Sequence, residues 1–250
     1  MIDAALLTDL ALAAVALALG GIIKGATGAG APIIAIPVMA VLFGVEIAVV
    51  TFVMPSLLTN IWQGWRYKAH QCPARITWGY AIAGAGGAVV GSILLATVAP
   101  KLLLLAVAGA VIVYIAFRLA RPNWVLGDAQ ANRFVGLAGL VAGMLQGATG
   151  ISAPVSVTFL SAMQLSRPMF IATISVLFAM MSAVQIPALW WFGIMDGPRM
   201  LWGVAATLPL LAGMPLGSWL AKQFSRQAFD RVILGLLAII AVRLIWQAIA

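Results

Sequence analysis

The chain has 250 residues, of which 64% are hydrophobic and only 8% are charged, and its mean hydropathy is +1.12. A soluble domain carries about 25% charged residues and cannot hide this much apolar surface, and disordered chains are poor in apolar residues, so a polytopic membrane protein remains. The net charge of +8, from 14 Lys and Arg against 6 Asp and Glu, is scattered between apolar runs, which argues against a nucleic-acid partner.

A membrane-spanning helix needs about 20 mostly apolar residues. In chain order the apolar segments are 4–24, 31–45, 47–64, 76–98 and 102–119, then 134–147, 151–165, 169–191, 200–221 and 232–249. The first follows Asp3 with no Lys or Arg before it. A cleavable signal needs a positive leader, so segment 4–24 is expected to stay as a helix. Ile2 at the second position and the absence of a prenylation box give no sign of a lipid anchor. Segments 31–45, 134–147 and 151–165 are short for a hydrocarbon core of about 30 Å, and each flanks one of two Gly-rich interruptions.

Those interruptions are copies. Gly21-Ile-Ile-Lys-Gly-Ala-Thr-Gly-Ala-Gly-Ala-Pro-Ile33 matches Gly143-Met-Leu-Gln-Gly-Ala-Thr-Gly-Ile-Ser-Ala-Pro-Val155, with seven of thirteen positions identical. The same offset of 122 pairs Thr51 with Thr173 and Gln63 with Gln185, and nearby offsets pair Trp78-Gly79 with Trp202-Gly203 and Gly87/Gly91 with Gly213/Gly217. The pattern predicts two repeats, 1–122 and 123–250. Five segments per repeat is an odd number, so the second repeat enters the membrane from the opposite side. The expected fold is all-α, with two inverted five-segment repeats whose broken or short helices meet near the midplane.

With the N-terminus outside, the inner loops hold Arg66, Lys68, Arg75, Arg118, Arg121, Arg133, Arg167, Lys222, Arg226 and Arg231. The outer loops hold only Lys101 and Arg199. The positive-inside rule therefore predicts a periplasmic N-terminus and a cytoplasmic loop around Cys72. Trp65, Trp78, Trp190, Trp191, Trp202 and Trp246 fall near segment ends and read as interfacial anchors.

Glycine permits backbone conformations closed to other residues, and proline suits a first helical turn. Each Gly-Ala-Thr-Gly therefore predicts a helix, a tight break and a new helix near Pro32 or Pro154. A helix start exposes free N–H groups and partial positive charge, an anion site that needs no charged side chain. Candidate substrate-binding positions are Gly25, Ala26, Thr27, Gly28, Gly30 and Pro32 in the first copy. In the second they are Gly147, Ala148, Thr149, Gly150, Ser152 and Pro154. The same glycines also suit close helix packing. Lys24 reads either as an attraction for an anion or as a snorkelling interfacial lysine. Gln63 and Gln185 read either as substrate ligands or as interhelical hydrogen-bonding groups. Glu46 reads as an outer-loop residue at a helix start, with proton coupling as the weaker alternative.

Cys72 and His70 are single residues, so neither a disulfide nor a Cys- or His-built metal centre is expected. No cofactor motif or catalytic set is present, and the chain does not read as an enzyme.

The doubled motif, with Lys24 before the first copy and Gln146 before the second, resembles the sulfite exporter TauE/SafE family, also called the toluene-sulfonate uptake permeases. The resemblance spans nearly the whole chain. It implies a bacterial inner-membrane carrier for sulfur-containing anions such as sulfite or sulfoacetate, coupled to protons. It places the family pattern on Gly25, Thr27, Gly28, Gly30 and Pro32, and on Gly147, Thr149, Gly150 and Pro154. Ser152 departs from that pattern, standing where the first copy has Gly30. An anion channel of the same fold and an accessory membrane subunit, alone or in a homo-oligomer, are the alternatives.

Overall fold

The computed structural model describes residues 4–120 and 125–223, with isolated positions 238, 242, 245 and 246. The described residues are helical: α1 Ala4–Thr27, α2 Ala31–Phe43, α3 Val45–Arg66, α4 Ala74–Thr97, α5 Pro100–Ala120, α6 Asp128–Thr149, α7 Ala153–Ala162, α8 Arg167–Trp191 and α9 Gly197–Gln223. A short 3-10 turn, Lys68–His70, lies between α3 and α4. Most of segment 232–249, with Arg121, Arg226, Arg231 and Arg243 and the side chains of Arg118 and Lys222, lies outside the described residues.

Among the described residues, α1, α3, α4, α5, α8 and α9 are long and apolar enough to cross a membrane. The helices α2 and α7, with 13 and 10 residues, reach only about 20 and 15 Å. Segment 134–147 corrects one expectation, because it is not short. The helix that contains it begins at Asp128 and runs 22 residues, about 33 Å. Asp128-Ala-Gln-Ala-Asn-Arg133 is polar but contains good helix formers, and helix propagation does not require apolar side chains.

The tightest packing joins early helices to late ones. The helix α1 lies along α9, and α4 lies along α6. Glycines make both approaches close. A Cβ at Gly21 or Gly25 would collide with the α9 backbone at Leu210 or Met214, and one at Gly213 or Gly217 with the α1 backbone at Ala18 or Ile22. In the same way, a Cβ at Gly87 or Gly91 would collide with the α6 backbone at Leu140 or Met144, and one at Gly143 or Gly147 with the α4 backbone at Gly84 or Ala88. The centre is filled by α3 against α8, with α9 beside α3 and α4 beside α8.

The loops gather at the two ends of this bundle. Near the start of α8, Cys72 N–H donates to Thr173 Oγ1 at 3.1 Å, and Leu126 N–H donates to Ala162 O at 2.7 Å. At the opposite ends of α3 and α8, Arg199 pairs with Glu46 at 3.2 Å and with Asp196 at 3.6 Å. Glu46 is thus an exposed ion-pair partner at a helix start.

Candidate functional site

Both Gly-Ala-Thr-Gly runs are helix breaks. In the first, Gly28 and Gly30 have φ of +85° and +94°, and α2 starts at Ala31 with Pro32 in its first turn. In the second, Gly150 has φ of +74°, and α7 starts at Ala153 with Pro154 in its first turn. Other L-residues are strained at such φ values, which is why glycine stands there. Each threonine ties its own break. Thr27 Oγ1 accepts the Ala29 N–H at 3.3 Å and lies 2.8 Å from Ile23 O. Thr149 Oγ1 accepts the Ile151 N–H at 3.2 Å and lies 2.8 Å from Leu145 O.

A small cavity lies beside these breaks. Lys24 of α1, Pro32 of α2 and Gln146 of α6 line it, together with Ser56 and Asn60 of α3 and Phe178 of α8. Lys24 is buried, at 3% exposure. Its Nζ donates to Asn60 Oδ1 at 2.6 Å, and Asn60 Nδ2 donates to Ser56 O at 2.7 Å. Ser182 Oγ of α8 continues the chain by donating to Ser56 Oγ at 3.0 Å. No carboxylate among the described residues pairs with Lys24. An ammonium buried among neutral groups costs several kcal/mol, on the order of its lost hydration, and the cavity beside Lys24, about 10 Å³, has room for about one water.

The second break is neutral. Gln146 stands where the first copy has Lys24, and its Oε1 accepts Ser152 Oγ–H at 3.1 Å. Gln185 Nε2 donates to Gly147 O at 3.3 Å, while the Gln185 and Gln63 Oε1 atoms are buried without a partner among the described residues. In the first copy, the equivalent carbonyl, Gly25 O, receives Arg167 Nη2 at 3.2 Å and Ser218 Oγ at 3.0 Å.

The structure therefore brings Lys24, Pro32 and Gln146 to one cavity, with Ser152 one hydrogen bond behind. Gly25 and Gly147 are helix-packing positions whose carbonyls are also capped. Gly28, Gly30, Thr27, Gly150 and Thr149 shape the breaks. Ala26 is half-buried beside the first, Ala148 is buried beside the second, and Pro154 opens α7 away from the cavity lining. Gln63 sits one turn beyond Asn60, outside that lining. Asn60, Ser56, Thr59, Phe52 and Phe178 also line the cavity. Of these, Asn60 carries the clearest signal in the sequence, as an amide in an apolar helix.

A bundle of apolar membrane helices, interrupted by two matched breaks beside a buried lysine, defines a multi-pass membrane protein. The chain belongs to the sulfite exporter TauE/SafE family, whose model matches residues 12–244. This is a family of membrane permeases rather than enzymes, and it implies a small anion as substrate and the lipid bilayer as surroundings. No curated protein and no solved structure matches the chain.

Proposed function

We propose that this chain is a secondary transporter that moves sulfite or small sulfonates, such as sulfoacetate, across the bacterial inner membrane by alternating access, coupled to protons. The observation that carries this reading is the cavity beside both breaks, where Lys24 has no counter-charge among the described residues. The oxyanion group of such a substrate supplies that charge and accepts hydrogen bonds from the Lys24 ammonium and the Gln146 amide. The threonine hydroxyls hold the breaks in shape, and the glycines let the broken helices pack closely on α9 and α4.

Two inverted repeats, 1–122 and 123–250, account for the packing. Offsets of about 122–126 relate α1 to α6 and α4 to α9, so α1 on α9 and α4 on α6 are one contact made twice. The gathering of Cys72, Leu126 and Ala162 at one end, and of Glu46, Asp196 and Arg199 at the other, agrees with the sidedness read from the loop charges. In this reading the first end is cytoplasmic, and the two breaks lie near the midplane.

Uptake by proteoliposomes, with a panel of sulfite, thiosulfate, sulfoacetate and taurine, tests the proposal. Saturable uptake of sulfite or sulfoacetate with counterflow is expected. Ion currents in planar bilayers would make the protein a channel, and absence of flux for every member of the panel would overturn the transporter reading.

A further inference from the structure

We infer that Lys24 is both the counter-charge of the transported anion and the proton carrier, so that one proton and one monoanion cross together. The inference rests on the transporter reading above and adds the residue and the stoichiometry. Lys24 is an ionisable group buried inside a cavity that both broken helices reach. Its hydrogen-bond partner, Asn60, is neutral and accepts from an amine and an ammonium alike. The counterpart position holds Gln146, which cannot titrate, so one charge serves the whole site.

The surroundings leave the role to Lys24. The helix α1 packs on α2 and α9, and the cavity adds α3, α6 and α8. Among the described side chains of these helices, the other charged groups are Asp9, Glu46, Arg66, Asp128, Arg133, Arg167 and Arg199. Each stands within about two turns of a helix end. None lines the cavity, and the one that reaches the first break, Arg167, meets the Gly25 carbonyl. Tyr80, the other fully buried ionisable side chain of the spans among the described residues, donates to Ser156 O at 3.4 Å, away from the cavity lining.

The cycle balances. At the open face, the neutral amine takes a proton from water and pairs with the entering anion. After the site reorients, the anion leaves and the ammonium returns its proton to water on that side. A buried charge without its partner is costly, so the empty site returns as the neutral amine, and net movement carries one proton per anion.

Methanesulfonate is the probe, because it stays ionised between pH 6 and 8 and cannot carry the proton itself. Binding to the detergent-solubilised protein, followed by calorimetry in buffers of different ionisation enthalpy, is expected to take up about one proton per anion. Methanesulfonate entry into pyranine-loaded proteoliposomes is expected to acidify the lumen. In Lys24→Arg the charge is permanent, so net proton-driven uptake is expected to fall at least tenfold more than anion exchange does. Binding without proton uptake, entry without acidification, or a parallel fall of uptake and exchange in Lys24→Arg would each overturn the inference. The wild-type measurements decide even if the variant does not fold. Net uptake of anions without protons would sink this inference alone, whereas no binding and no flux of any anion would sink the transporter reading beneath it.

Discussion

The two helix breaks share a sequence and differ in nearly everything built on it. The first has a buried lysine, a threonine that reaches the molecular surface, and a carbonyl capped by Arg167 and Ser218. The second is uncharged and fully buried, and its carbonyl is capped by an amide from α8. The lesson is that one repeated sequence builds the same kind of backbone break twice, while a few differing positions set what surrounds it. Lys24 against Gln146 sets where the charge sits. Gly30 against Ser152 sets whether the break can hydrogen-bond its own glutamine.

The comparison breaks most completely where the two copies are alike. Gly143→Val and Gly217→Val each push a side chain into a facing backbone that cannot yield. Overpacking of this kind costs about 1–3 kcal/mol or more. Both variants should lose most of their monodisperse protein in size-exclusion chromatography, and equal losses would mark the two crossings as equivalent. The next largest effect should separate the copies. Lys24→Gln, which makes the first break resemble the second, should lower sulfonate uptake at least tenfold, while Gln146→Leu should lower it about threefold. Equal effects would mean that the charge is not what distinguishes the breaks.

Ser152→Gly makes the second break resemble the first and frees Gln146 Oε1. Loss of one buried hydrogen bond is worth about 1 kcal/mol, so a fall of a few degrees in melting midpoint and a shift in anion preference are expected. Arg167→Ala leaves Ser218 on Gly25 O and removes an exposed donor. It should change uptake by about twofold or less.

Sidedness is tested by labelling, which leaves uptake unchanged. Cys72 is only 4% exposed, and burial pushes its thiol up, with a hydrogen bond between the thiol and the Thr173 side chain opposing the rise and Asp128 adding to it. The thiolate is the reactive form, so maleimide labelling should be slow at neutral pH and rise about tenfold per pH unit until the thiol titrates. Lys68→Cys in a Cys72→Ala background, on the exposed turn nearby, should label quickly. A membrane-impermeant reagent should reach it only after the cytoplasmic face is opened.

The breaks were legible because glycine and proline act locally. Gly28, Gly30 and Gly150 fix the left-handed turns, and Pro32 and Pro154 mark the helix starts that follow. Lys24 was legible because a cation in an apolar helix needs a reason. The start of α6 was not, because Asn132 and Arg133 read as linker although nothing in their chemistry prevents a helix. The partners of the site were hidden for a different reason. Lys24 meets Asn60 across 36 residues, and Gly25 O meets Arg167 across 142. A one-dimensional pattern marks such residues as polar without saying which of them touch.

The crossed pairing of α1 with α9 and of α4 with α6 also has a consequence for biogenesis. A ribosome releases α1 long before α9, so the glycine face of α1 must wait in the bilayer, unmatched, until almost the whole chain has been made. The first half cannot settle alone. A chain stopped after α5 should be cleared by membrane quality-control proteases. The two halves, separated by a cut in the 121–127 linker and expressed together, should find each other and restore the fold.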